Sequence, residues 1–192
     1  LRADHLVYIT SANITSTTGA IDIILNADRD ADEDGRVVLI TSDIATNGGY
    51  FIAGGGSGDV GGVDGILGNG DGTGADDIAT FSAGGGDAIY FETANITTSG
   101  GDIILHGNAK GAGSADGIKL YKTTLESDTG WISLTGTSTG DSSTPNGITL
   151  QGDVATATTV TSTSGNIDIT GTSTNNEGFT LSTDTNVTTT DG

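Results

Sequence analysis

Asp28, Asp30, Asp32, Glu33 and Asp34 crowd into seven residues and are closed by Gly35. Carboxylates packed this closely repel one another unless water or a cation screens them. The spacing Asp30-x-Asp32-x-Asp34-Gly35 matches the opening of an EF-hand calcium loop, where alternate residues aim oxygens at one point. The twelfth position is Thr41 rather than a bidentate Glu, so the loop is not an EF-hand. It reads either as a calcium loop on another scaffold or as a solvated acidic turn. A second candidate, Asp71-Gly-Thr-Gly-Ala-Asp76-Asp77-Ile78-Ala79, departs at one position from the calcium-binding nonapeptide G-G-x-G-x-D-x-U-x. With a single copy, Asp71, Asp76 and Asp77 lack a partner turn unless Asp59 and Asp64 supply it. The plainer reading is a Gly/Asp-rich loop. Calcium is the expected cofactor if there is one.

Catalytic constellations are absent from the sequence. The six bases, Arg2, Arg29, Arg36, Lys110, Lys119 and Lys122, are scattered, and His5 and His106 stand alone. No nucleophile elbow, phosphate loop or zinc motif occurs. The expectation is a non-enzyme, with a polysaccharide lyase or hydrolase as a remote alternative. Tyr50 and Trp131 are weak ligand candidates, because each follows a glycine and should point outward. Exposed aromatics stack on sugars, but they also pack against loops or another molecule.

The elements that position these residues follow from an internal repeat. An aliphatic residue stands five positions before a glycine six times: Ile14/Gly19, Ile44/Gly49, Ile96/Gly101, Leu125/Gly130, Val160/Gly165 and Val187/Gly192. Apolar residues follow five of those glycines at two and four positions: Ile21/Ile23, Phe51/Ala53, Ile103/Leu105, Ile132/Leu134 and Ile167/Ile169. Upstream lies an apolar pair two apart: Val7/Ile9, Val37/Leu39, Ile89/Phe91, Ile118/Leu120, Ile148/Leu150 and Phe179/Leu181. The two-residue period means strands. Successive units start 30, 52, 29, 30 and 31 residues apart. The long interval holds a Gly/Asp-rich insertion at about 54–77 that could hide an extra coil near Ile78 and Phe81.

Strands this short are stable only when each pairs with its equivalent in the units above and below. The expected fold is therefore all-β. It is a parallel β-helix (β-solenoid) of about six coils with three short strands each, right-handed by the crossover rule. One such segment spans residues 1–192 as part of a longer repeat protein. Glycines at the corners suit turns that need φ > 0.

The segments NITTSGGDIILHG (95–107) and VTSTSGNIDITG (160–171) resemble repeats of filamentous-haemagglutinin-like exoproteins and related giant bacterial β-helix surface adhesins. That resemblance covers nearly all of the chain outside the insertion. It implies a structural rod or filament, secreted or held at the cell surface, serving adhesion, matrix or cell contact. A calcium- or glycan-binding module on the same scaffold is the alternative. The formal charge of −19, from 25 acids against six bases, argues against nucleic acid and anionic membranes as partners. No apolar run is long enough to span a bilayer. Expected partners are further coils of the same chain or identical copies end to end, with a surface glycan or protein receptor as a further possibility.

Overall fold

The computed structural model describes residues 1–27, 35–55, 79–81, 86–110, 114–139 and 144–191, with the backbone alone for 79–81. The acidic residues 28–34 and the Gly/Asp-rich residues 56–78, which include Asp71, Asp76 and Asp77, lie outside the described residues.

The strands follow one another three to a coil. The first coil holds β1 (Leu6–Thr10), β2 (Asn13–Thr15) and β3 (Ile23–Ala27). The second holds β4 (Arg36–Ile40), β5 (Asp43–Ala45), β6 (Phe51–Gly55) and β7 (Ala79–Phe81). The third holds β8 (Ile89–Glu92), β9 (Asn95–Thr97) and β10 (Ile103–Ala109). The fourth holds β11 (Ile118–Tyr121), β12 (Thr124–Ser127) and β13 (Ile132–Ser138). The fifth holds β14 (Ile148–Gln151), β15 (Thr158–Ser162) and β16 (Ile167–Ser173), and β17 (Phe179–Leu181) and β18 (Thr185–Thr189) begin the sixth. Each strand pairs in parallel with its equivalents one coil away. The result is three sheets, ordered β1-β4-β8-β11-β14-β17, β2-β5-β9-β12-β15-β18 and β3-β6-β10-β13-β16, with β7 beside β10. The molecule is a parallel β-helix.

At the inward positions of the first two sheets the pairing stacks apolar on apolar. In the first sheet Val7, Val37, Ile89, Ile118, Ile148 and Phe179 form one inward ladder, and Ile9, Leu39, Phe91, Leu120, Leu150 and Leu181 form the next. In the second sheet Ile14, Ile44, Ile96, Leu125, Val160 and Val187 align. Residues of the middle coils in these ladders are fully buried and form one continuous core, with Phe51 and Phe91 meeting edge to face at 6.1 Å. Phe179, Leu181 and Val187 have a neighbour on one side only and are exposed.

In the first coil the third strand differs from the spacing rule. Ile23 and Leu25, not Ile21 and Ile23, pair with Phe51 and Ala53. Ile21 is exposed, because this corner is two residues longer and places Ile21, not Gly19, beneath Gly49. The insertion is also clarified. β10 pairs β6 through Ile103–Leu105 and β7 through Gly107–Ala109. Ala79–Phe81 therefore lies in line with the strand that Phe51 begins, against the same partner strand; the rest of the insertion, the place of the optional extra coil, lies outside the described residues. Gly54 and Gly55 belong to β6 rather than to the insertion.

The corners are held by three devices. Gly49, Gly101, Gly130 and Gly165 form a column in which an added Cβ would overlap the backbone carbonyl one coil below. What this column requires is space; the positive φ sits one residue earlier, at Gly48 (98°) and Gly100 (120°). Beside it, buried Thr46, Thr98, Ser127 and Ser162 donate their hydroxyls to corner carbonyls: Thr46 to Gly49 (2.5 Å), Thr98 to Gly101 (2.5 Å), Ser127 to Gly101 (3.1 Å) and Ser162 to Gly130 (3.3 Å). After the first strands the chain turns through left-handed residues that are not glycine, among them Ser11, Thr41, Thr93 and Lys122.

Candidate functional site

The outer edge of the third sheet carries two exposed aromatics, Tyr50 and Trp131. Ladder bonds from Ile23 N–H to Tyr50 O, Phe51 N–H to Asp102 O, Ile103 N–H to Trp131 O and Ile132 N–H to Asn166 O fix one corner column. It reads Asp22, Tyr50, Asp102, Trp131, Asn166. Tyr50 is 41% and Trp131 47% exposed. Both backbones are pinned in the same way. The Tyr50 N–H donates to Asp22 Oδ1 at 2.9 Å, and the Trp131 N–H to Asp102 Oδ1 at 2.7 Å. One coil separates the aromatics, which puts them on the order of 10 Å apart.

The next outward column reads Ile24, Ile52, Ile104, Ser133, Asp168; beyond it Asn26 pairs with Gly54, and His106, Thr135 and Thr170 align. Asp22 thus belongs to the corner and not to the Asp168 column, although it lies three residues after Gly19 as Asp168 lies three after Gly165. This face has two halves. Along the first three coils its middle column is apolar (Ile24, Ile52, Ile104), and Ile52 is buried although it points outward. Along the fourth and fifth it is polar and open, and Trp131 stands at the margin of that half.

Sequence reasoning passed over the outer face of the first sheet. Tyr8, Val38, Tyr90 and Lys119 share one outward column, and Glu92 and Tyr121 are neighbours in the next. Three of the four tyrosines therefore lie on one face. The signal was available, since each occupies the slot beside an inward apolar residue. Tyr90 donates its hydroxyl to Glu92 Oε2 at 2.8 Å. Burial and the bond to Glu92 push its phenol well above the usual tyrosine range. Lys122 Nζ lies 4.8 Å over the Tyr121 ring and 2.6 Å from Asp153 Oδ2. The Tyr90 and Tyr121 rings are engaged by their own neighbours, while Tyr8 is exposed.

A carboxylate pair forms at the corner before the first strands. The Asp116 N–H donates to Asp87 Oδ1 at 2.8 Å, and the Asn146 N–H to Asp116 Oδ1 at 2.7 Å. Burial, reinforced by the nearby Asp116 carboxylate, raises Asp87 to about 6. Burial likewise raises Asp116. Lys119 and Arg36 oppose the shift at Asp87, and the Arg36 Nε–H donates to the Asp87 carbonyl at 2.8 Å. These aspartates, like Asp22 and Asp102, cap N–H groups of the next coil where the chain turns.

Of the sequence candidates, Tyr50 and Trp131 fall on one edge. Asp28, Asp30, Asp32, Asp34, Asp71, Asp76 and Asp77 lie outside the described residues. Among the described residues no three His, Asp or Glu side chains group to hold a metal. No family model, curated protein or solved structure matches the chain.

Proposed function

We propose that this chain is a structural segment of an extracellular or cell-surface rod or filament, serving adhesion, matrix or cell contact. The reading is supported by one observation above all: the inward ladders run through six coil levels of the first two sheets without a change of register. An architecture in which each coil contacts only its neighbours gains length by adding coils, at about 4.8 Å each. The proposed neighbours are further coils of the same kind, in one chain or in identical copies end to end. The acidic, cysteine-free composition is compatible with an oxidising exterior and adds no thiol chemistry. The role proposed is mechanical and adhesive rather than catalytic. Antibody raised against the chain should label intact cells of the source organism, and negative-stain images of the released native protein should show rods of uniform width. Labelling that requires lysis, or globular particles in the images, would overturn the proposal.

A further inference from the structure

We propose that the outer corner bearing Tyr50 and Trp131 is a binding platform for an uncharged, extended β-linked polysaccharide. This goes beyond the structural reading and does not depend on it.

Three observations carry the proposal. First, the chain's single tryptophan stands 47% exposed at the corner, outside the core cluster. An aromatic of that size left in solvent retains a large apolar face for a ligand. Second, the presentation is repeated: a carboxylate one coil below accepts the aromatic residue's own N–H at both Tyr50 and Trp131. The sheet and these bonds hold both backbones rigid, so little conformational freedom remains to be lost on binding. Third, the two aromatics share a column with one coil between them, on the order of 10 Å apart along the helix axis. In an extended β-linked glycan, alternate pyranose rings present the same face, and the repeat of two sugars is close to two coil spacings. Tyr50 and Trp131 would therefore stack on sugars n and n+2. Asp102 stands at the level of the sugar between them.

The surroundings set the ligand class. Beside Trp131 the outward residues are Asn166, Ser133 and Asp168, groups that hydrogen-bond sugar hydroxyls. Asp22, Asp102 and Asp168 are the charged side chains of these two columns, and the whole chain carries −19. Sulfated and uronate-rich glycans are repelled by such an edge, which leaves an uncharged chain as the fitting occupant.

The test uses the whole chain with cellohexaose and chitohexaose as probes, and dextran and heparin as controls. Fluorescence of the single tryptophan and calorimetry are the readouts. Either hexaose should shift the Trp131 emission. A trisaccharide should retain most of the affinity, whereas a disaccharide, which reaches one aromatic only, should bind roughly tenfold more weakly. Trp131→Ala should weaken binding at least about tenfold and Tyr50→Ala less, with unchanged thermal midpoints because both side chains are exposed. No binding of either hexaose, binding that survives Trp131→Ala, or tighter binding of heparin would each overturn the proposal. Self-association that vanishes in Trp131→Ala, without glycan binding, would instead make this edge a contact between two copies of the chain.

Discussion

Substituting Gly130 by alanine tests the packing of coil on coil at one atom. The new Cβ would overlap the Gly101 carbonyl oxygen and lie 2.5 Å from its carbon and 2.7 Å from Ser127 Oγ. Ordinary van der Waals contact begins at 3.4 Å, so the third and fourth coils must part locally by roughly 1 Å or bend. Overpacking of this kind costs about 1–3 kcal/mol. The Ser127 hydroxyl bond to Gly101 O, 3.1 Å long, lies in the path, and its loss adds about 1 kcal/mol. The expected total is about 2–4 kcal/mol, or a thermal midpoint lowered by roughly 5–15 °C for a chain of this size. Gly19 has nothing within 4 Å of an added Cβ. Gly19→Ala should be neutral, or stabilising by about 0.4–1 kcal/mol through the unfolded chain. Urea titration and calorimetry of the two variants give the comparison. Equal effects, or a Gly130→Ala variant within about 0.5 kcal/mol of the parent, would refute the glycine column and the shifted register of the first corner.

Ile103→Asp should unfold its coil, since it puts a charge into a sealed ladder, while Ile104→Asp, on the half-buried outer face, should cost about 1–2 kcal/mol; identical urea midpoints would disprove the alternation. Asp87 has a folded pKa of about 6 against an ordinary 3.8, so between these values the folded state holds more protons than the unfolded state. Stability should therefore rise as pH falls through about 6 and level off below 4. Because part of Asp87 reaches solvent, we expect on the order of 1–2 kcal/mol. Asp87→Asn should flatten that part of the profile and be the more stable variant at pH 7–8; thermal scans that leave the two profiles parallel would remove Asp87 as the cause. We propose calcium binding at Asp28–Asp34: millimolar calcium should raise the thermal midpoint by mass action, and joint replacement of Asp30, Asp32 and Asp34 by Asn should abolish most of the rise. Absence of binding heat in calorimetry would dismiss it.

Much of the scaffold was legible because a solenoid writes its long-range contacts as a local repeat. Val37 meets Ile89 because both occupy the same slot of successive units, and period-2 alternation separates Ile103 from Ile104. The same logic set Tyr50 and Trp131 outward, and both are exposed. The glycines were legible as corners but not in their role. Only the neighbouring coil shows that Gly101 faces the Gly49 carbonyl and that Gly100 carries the positive φ.

What the sequence by itself determined is the set of inward ladders in the first two sheets, since burial constrains those positions identically in every unit. Tertiary structure decided whatever depends on how one coil sits on the next. The two additional residues in the first corner move Ile21 out and Leu25 in, because register is fixed by pairing with Phe51 and Ala53 rather than by distance from Gly19. Ala79 and Phe81 rejoin a strand begun before the insertion, since β10 offers an unpaired edge at Gly107–Ala109. Asp22, Asp87, Asp102 and Asp116 become caps for the N–H groups of the next coil. No spacing rule announces that role, because polar outward residues vary freely until a neighbouring backbone group at a turn requires an acceptor.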